Sequence, residues 1–306
     1  MASHAIIATM RNEAVTLIEW LAHHLAVGFD HFFICTNDCQ DGTDEILELL
    51  ASHFPICHRD NPPPYADTIQ KQALHLARQD KIVSASDWCL HIDADEYVNV
   101  LVGGRRIADL TALHPNAHAV ALMWKFFGNS GMTHWSPGRI LDQFTLAEGE
   151  MSVERMNFKT IFRPTAFKRF SVHNPKLPRD PEALVVVNTA GIAMPVDTIL
   201  RNRGSGYPPD LAYASWENAR LHHYHVKPDD LHRAKHARGD ANGRRNRKRK
   251  IGSDYYYQVN CNDVPDSSMS FYRGTSGDIE AAMRAVPGVA EAERRAIAWL
   301  KSSYSL

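Results

Sequence analysis

With 306 residues, 44% of them hydrophobic and 23% charged, the chain has the balance of a globular protein with a sizeable core, in one large domain or two ordinary ones. A net charge of −1 excludes a molecule-wide field that would gather nucleic acid or an anionic membrane. No apolar run reaches the roughly 18 to 20 residues that a membrane-spanning helix requires.

The opening MASHAIIATMRNEA has no basic leader and no long apolar stretch, which argues against a secretory signal and for a cytoplasmic setting. Residues 5–10 (AIIATM) form a compact apolar run and predict a buried strand. Asn12 then suits an N-cap, and Ile18, Leu21, Ala22 and Leu25 recur at helical spacing until Gly28. Residues 31–35 (HFFIC) predict a second strand. Thr43 suits the cap of a helix with Asp44 and Glu45 in its first turn and Ile46, Leu47 and Leu50 on its apolar face. A third strand is expected over 54–58, a third helix over 66–82, and a fourth strand over 88–92 (WCLHI), which runs directly into acidic residues. Four strand–helix units in about 95 residues predict a largely parallel sheet covered by helices.

Beyond Asn99 the rhythm loosens. Residues 119–124 and 159–163 predict strands, with short ones over 170–173 and 184–187. The stretches 126–156 and 174–218, rich in Gly, Pro, Asn and Ser, have the composition of long functional loops. Helical patterns return from Asp229 and close the chain over 279–285 and 290–301. The five cysteines are odd in number, and Cys35 and Cys89 lie in apolar runs, so they read as buried thiols of a reducing compartment. Cys35 and Cys39 form a close pair with no second pair at zinc spacing.

The strongest chemical feature is His91-Ile92-Asp93-Ala94-Asp95-Glu96-Tyr97. In open α/β sheets ligands bind beyond the C-terminal ends of the strands, which is where these acids fall. If the strand continues, Asp93 and Asp95 point to the same side and offer two oxygens to a hard divalent cation. The plain alternative is a solvated acidic turn.

An apolar strand followed by Asp-x-Asp resembles the DXD signature of GT-A-type glycosyltransferases, which holds a manganese or magnesium ion against the donor's diphosphate. Three further segments carry the resemblance. Arg11-Asn12-Glu13 resembles the (K/R)NE start of family 2-like enzymes, and Asn37-Asp38-Cys39-Gln40-Asp41-Gly42-Thr43 resembles their (N/D)-x-S-x-DGT turn. Leu221-His222-His223-Tyr224-His225-Val226-Lys227, followed by His236-Ala237-Arg238-Gly239, resembles the C-terminal block of a bacterial subgroup close to glycosyltransferase family 92. The likeness runs in order over about residues 4–265; Cys39, in place of a serine, departs from it.

The resemblance implies a GT-A-like nucleotide-diphospho-sugar transferase fold, α/β with a mostly parallel central sheet flanked by helices and a helical C-terminal extension. Residues 1–240 would be the catalytic domain, and 241–306 a basic loop and helical extension packed on it. It implies a metal site of Asp93, Asp95 and His223 holding Mn2+ or Mg2+. It also implies donor contacts from Arg11, Asn12, Glu13, Asn37, Asp41, Gln70, Lys71, Asp93 and Lys227 to a nucleoside diphosphate sugar, UDP being favoured. Against these stand plainer roles: Glu13 as a first-turn helix acid, Asp41 as a turn former, and His223 as one of 17 histidines.

Trp124, Phe127, Asn129 and Ser130 lie in a WKFFGNSG segment that resembles an acceptor-binding block of the same subgroup; a strand end packed on the sheet is the plainer reading. Inverting transfer needs a carboxylate base, for which Asp142 is preferred over Glu154 and Glu217; retaining transfer needs none. The expected activity is metal-dependent transfer to a carbohydrate or lipid-linked glycan acceptor, in surface or extracellular polysaccharide synthesis. The basic run from Arg244 to Lys250 (RRNRKRK) reads as a solvated loop or a lid, with peripheral contact at the inner membrane face as its alternative and nucleic acid disfavoured. Two rivals remain: a nucleotidyltransferase making sugar nucleotides, although MRNEAVTLIEW lacks its glycine-rich loop, and a non-catalytic carbohydrate-binding protein.

Overall fold

A computed structural model describes residues 2–62, 68–200, 210–238 and 250–305. The first third runs β1 (His4–Met10), α1 (Ala14–Val27), β2 (His31–Thr36), α2 (Thr43–Ala51), β3 (Ile56–Asp60), α3 (Ile69–Gln79), α4 (Lys81–Ala85), β4 (Trp88–His91). It continues through β5 (Glu96–Val100), α5 (Ile107–Ala112), β6 (Ala119–Phe126), α6 (Ile140–Gln143), β7 (Leu146–Ala147) and β8 (Phe158–Phe162). Short pieces follow: β9 (Phe167–Arg169), β10 (Lys176–Pro178), β11 (Val186–Asn188) and α7 (Asp197–Leu200), then β12 (Ala219–His223) and α8 (Asp229–Arg238). The chain closes with α9 (Asp254–Val259), β13 (Val264–Pro265), α10 (Arg273–Arg284) and α11 (Val289–Tyr304).

The central sheet has the order β3-β2-β1-β4-β8-β6-β12-β5, with β11 beside the first half of β6. Among the described strands of this sheet only β5 and β8 run against the others, so it is mostly parallel, as expected. Alternation along β1 divides the core. Ile6, Ala8 and Met10 pack with α1, α2, α10 and α11, while Ala5 and Ile7 face Ala73, Leu74 and Phe162 on the other side. A strand covered on both faces must be apolar throughout, which is why HAIIATM carries no charge.

Several local expectations are corrected. The helix expected over 66–82 is two: Asp80, extended at φ −66° and ψ 131°, ends α3 while its carboxylate accepts from Ile82 N and Val83 N to start α4. Asn12 does not cap α1. It takes a positive φ of 54°, and its Oδ1 accepts from Gln40 N, tying the loop after β1 to the loop after β2. Residues 170–173 form no strand; β9 ends at Arg169. The expected α1 terminator holds: Gly28 has φ 102°, and a Cβ there would meet the Arg106 guanidinium at 2.8 Å.

The outer edge of β5 is sealed by side chains. Trp20 Nε1 donates to Glu96 O (3.0 Å), and His23 Nε2 donates to Val98 O (2.8 Å). Val98 N–H donates to His24 Nε2 (3.3 Å), while Val100 exchanges hydrogen bonds with the Tyr272 hydroxyl. His24 Nδ1 faces Trp20 O at 2.8 Å, so Nδ1 carries the proton and Nε2 accepts. Both imidazoles are buried, and burial holds their basicity down, His23 to about 4 and His24 well below its ordinary value.

The C-terminal helices complete the α1 face. Met283, Val289, Ala292 and Ala296 share the apolar cluster of Ile6 and Trp20. No helix of the described residues is long and apolar enough to cross a membrane. The five cysteines are unpaired, with Cys35, Cys89 and Cys261 buried. The basic run from Arg244 to Arg249 lies outside the described residues.

Candidate functional site

The Asp-x-Asp segment lies at the C-terminal end of β4, but not as a continued strand. β4 ends at His91, and residues 92–95 turn back into the antiparallel β5. The Glu96 carboxylate accepts from Asp93 N (2.8 Å) and Glu96 N donates to Asp93 O (3.1 Å), closing the turn. The expectation that both aspartates share one side is therefore corrected: they take separate partners.

Asp93 belongs to a closed group. Lys159, from the middle strand β8 and 0% exposed, donates to Asp93 Oδ2 (3.0 Å) and Val172 O (3.3 Å) and stands 3.5 Å from Glu96. Burial alone would lower the Lys159 ammonium and raise Asp93, but their mutual attraction outweighs it. Lys159 ends above its ordinary value and Asp93 is held down at about 2. Burial dominates at Glu96 and pushes it well above the carboxylate range. Gln70 Nε2 reaches Asp93 Oδ1 at 3.4 Å from the first turn of α3, whereas the Lys71 side chain is exposed. Sequence reasoning missed Lys159, although a lone charge inside the apolar strand FKTIF is a signal for a buried acidic partner.

Asp95 faces the other way. Its backbone oxygen accepts from Tyr224 N (2.9 Å), and its carboxylate stands 3.6 Å from His223 Nε2, too far for a hydrogen bond. Ligand atoms of Asp95, His223 and His225 all lie within 4.8 Å of one another. His223, 5% exposed, ends β12, and its ring packs on Trp124 (4.3 Å between centroids) and Phe126 (5.2 Å). Its Nδ1 is buried with no hydrogen-bond partner among the described residues. One carboxylate and two imidazoles, converging at strand ends, fit a divalent cation. Asp93 is not in this group, and His225 joins it although it is not among the expected ligands.

Of the expected donor residues, Asn12, Glu13 and Lys227 line one cleft with Trp135 and Tyr304. Lys227 is buried and donates to Tyr224 O (2.7 Å), which links the cleft to the Asp95 turn. Arg11 is half-buried beside them in sequence, and Asn37 is buried. Asp41 is committed to backbone: it accepts from Ala14 N (2.9 Å), Thr43 N (3.0 Å) and Thr43 Oγ1 (2.6 Å). Thr43 therefore does not cap α2, for which Gly42 is the N-cap residue, and Asp41 anchors the starts of α1 and α2.

The acceptor candidates separate. Phe127 is fully buried, stacked between His222 and Tyr224, and presents no face to a ligand. Asn129 N and Ser130 N donate to Asn260 Oδ1 and Asn262 Oδ1, and Ser130 Oγ accepts from Thr145 N and Leu146 N. Gly128 leaves room for the Asn262 side chain, so this segment's glycine serves a chain crossing. Trp124 remains half-exposed beside His223. Asp142, exposed on α6, pairs with Arg273 at 3.2 Å, and Glu154 and Glu217 are exposed.

No family model matches the chain. It is similar to a glycosyltransferase family 92 protein of Oryza sativa subsp. japonica, 25% identical over 138 residues, which is 43% of this chain and 22% of that protein. The chain thus spans about a fifth of the length of the curated relative it matches. Among solved structures it is similar to S. aureus TarS 1-349 in complex with UDP-GlcNAc (14% identity, TM-score 0.36, covering 99% of this chain and 91% of that one). It is also similar to a putative glucose-1-phosphate thymidylyltransferase from Bacillus anthracis (14% identity, TM-score 0.32, covering 54% and 73%).

Proposed function

We propose that the chain is a metal-dependent glycosyltransferase, moving a sugar from a nucleoside diphosphate sugar to a carbohydrate or lipid-linked glycan in polysaccharide synthesis. The observation that carries this reading is the convergence of Asp95, His223 and His225 at the C-terminal rim of the sheet, beside the cleft of Asn12, Glu13 and Lys227. The local similarity to a glycosyltransferase family 92 protein supports it.

Asp95, His223 and His225 would hold the ion, and two imidazoles in the set favour manganese over magnesium. A divalent cation there supplies positive charge to a departing nucleoside diphosphate. Lys227 adds a second positive charge from the neighbouring cleft. Asp93, whose charge Lys159 already balances, serves the donor as a hydrogen-bond acceptor for sugar or ribose hydroxyls. Trp124 offers an aromatic face for the acceptor.

The test is calorimetry with UDP and GDP, with and without manganese, on the wild type and Asp95→Ala. Manganese-dependent binding of one nucleotide, lost in the variant, is the expected result. If neither nucleotide binds under any metal, the transferase reading falls and a carbohydrate-binding role replaces it.

A further inference from the structure

Inverting transfer needs a base at the attacking hydroxyl, and the carboxylates of the Asp93–Glu96 turn are engaged. Asp93 is held by Lys159, Glu96 closes the turn, and Asp95 belongs to the ion cluster. Asp142 is paired with Arg273 at 3.2 Å. A side chain of another kind, His173, stands at the same rim.

His173 lies between β9 and β10. Because β8 runs against β4 and β6, its first residue, Phe158, falls at the rim where those two strands end. The His173 ring is fastened there, its Nδ1 facing Phe158 O at 3.2 Å. The residue before it is fastened as well: Val172 O accepts from His91 Nδ1 (2.8 Å) and Lys159 Nζ (3.3 Å). A carbonyl oxygen can only accept, so Nδ1 of His173 carries the proton and Nε2 presents its lone pair. Among the described residues that lone pair takes no partner, and the half-buried side chain does not seal it from solvent.

The ring lies 5.6 Å from the Trp124 indole, which packs at 4.3 Å on His223. One indole therefore stands between this lone pair and the ion cluster. Burial first, then the Lys159 ammonium, holds the His173 imidazole down to about 4 against the opposing pull of Asp93, so the ring is neutral at neutral pH. A base that weak still suffices, because an alcohol oxygen becomes a strongly acidic oxonium as its new bond forms.

We propose that His173 is the base of a single-displacement, inverting transfer. The acceptor oxygen bonds to the anomeric carbon and its proton passes to His173 Nε2. The bond from that carbon to the diphosphate oxygen breaks, and its electron pair leaves with the diphosphate. The imidazolium then returns its proton to solvent. The assignment rests on the transferase reading.

Water can stand in for the acceptor, so the experiment measures donor hydrolysis by the full chain in manganese. The probes are UDP-glucose, UDP-galactose, UDP-N-acetylglucosamine and GDP-mannose, all α-linked, with proton NMR of the anomer first released. The wild type is expected to hydrolyse at least one of them and to release the β anomer. His173→Asn, which keeps a donor for Phe158 O and deletes the Nε2 lone pair, is expected to slow that hydrolysis about 100-fold, and His173→Gln to do the same. Both variants are expected to keep manganese-dependent nucleotide affinity within about threefold of the wild type, so that turnover falls and binding does not. Hydrolysis within about threefold of the wild type in both variants overturns the base, as does release of the α anomer. Loss of nucleotide binding in both variants overturns it too, leaving His173 a part of the scaffold, and so does a wild type that binds nucleotide yet hydrolyses no donor. A wild type that binds no nucleotide overturns the transferase reading itself.

Discussion

The two aspartates of one turn, Asp93 and Asp95, sit two residues apart and live in different electrostatic worlds. Asp93 is answered by a fully buried lysine, a glutamine and the turn's own backbone. Asp95 looks toward two imidazoles at distances that suit a shared ion better than a direct bond. A buried charge with its countercharge already in place is a structural asset, since removing one partner strands the other. A cluster of one carboxylate and two imidazoles near the surface of the sheet is instead the donor set that a divalent ion takes. The difference predicts that stability depends more on the Asp93 side and that the proposed ion depends on the Asp95 side.

Lys159→Met should break the comparison most severely. It leaves Asp93 and Glu96 without a cation and is expected to lower unfolding free energy by about 3–5 kcal/mol in urea titration. Adding Asp93→Asn should recover part of that loss; no recovery would mean that Lys159 acts through packing alone. Acid supplies a second, slightly smaller effect from the sealed rim of β5. His23 titrates near 4 in the folded chain against about 6.5 when unfolded. Between those values the unfolded chain binds the extra proton, so stability is full above about pH 6.5 and falls as pH drops toward 4. The loss is on the order of 3 kcal/mol for this group. Urea midpoints measured from pH 7 to 4 should trace a slope of this sign, and His23→Asn should make it shallower by that group's share, His24 keeping the remainder. Asp95→Asn should leave unfolding free energy within about 1 kcal/mol of the wild type. Manganese-dependent nucleotide affinity should nevertheless fall about 100-fold. A large stability loss there would erase the distinction between the two sides.

Much of the frame was readable in the sequence. Strand-length apolar runs bounded by helix signals located β1, β2 and β4, because burial on both faces demands those residues. Less legible was whatever depends on partners far away in the chain. Nothing around Asp93 names Lys159, 66 residues on, so the sequence leaves open whether the acids continue the strand or form a turn. The FGNSG segment has the composition of a ligand loop, yet Asn260 and Asn262 claim its backbone. Phe127 was placed on the acceptor because sequence shows ring chemistry but not the burial that hides it. His225 was discounted because three histidines in four positions look alike until the strand end selects which ones converge with Asp95.

The sealed rim of β5 carries a consequence for life in acidic surroundings. Val98 offers its amide and carbonyl only to the imidazoles of His24 and His23. Once protonated, His24 Nε2 can no longer accept, and the Val98 amide is freed. A strand with an unclaimed amide row is a template on which another chain can add itself. Because Val98 is buried beneath α1, together with His23 and His24 of that helix, another chain could add there only after α1 lifts away, so self-association in acid would follow local opening of this rim.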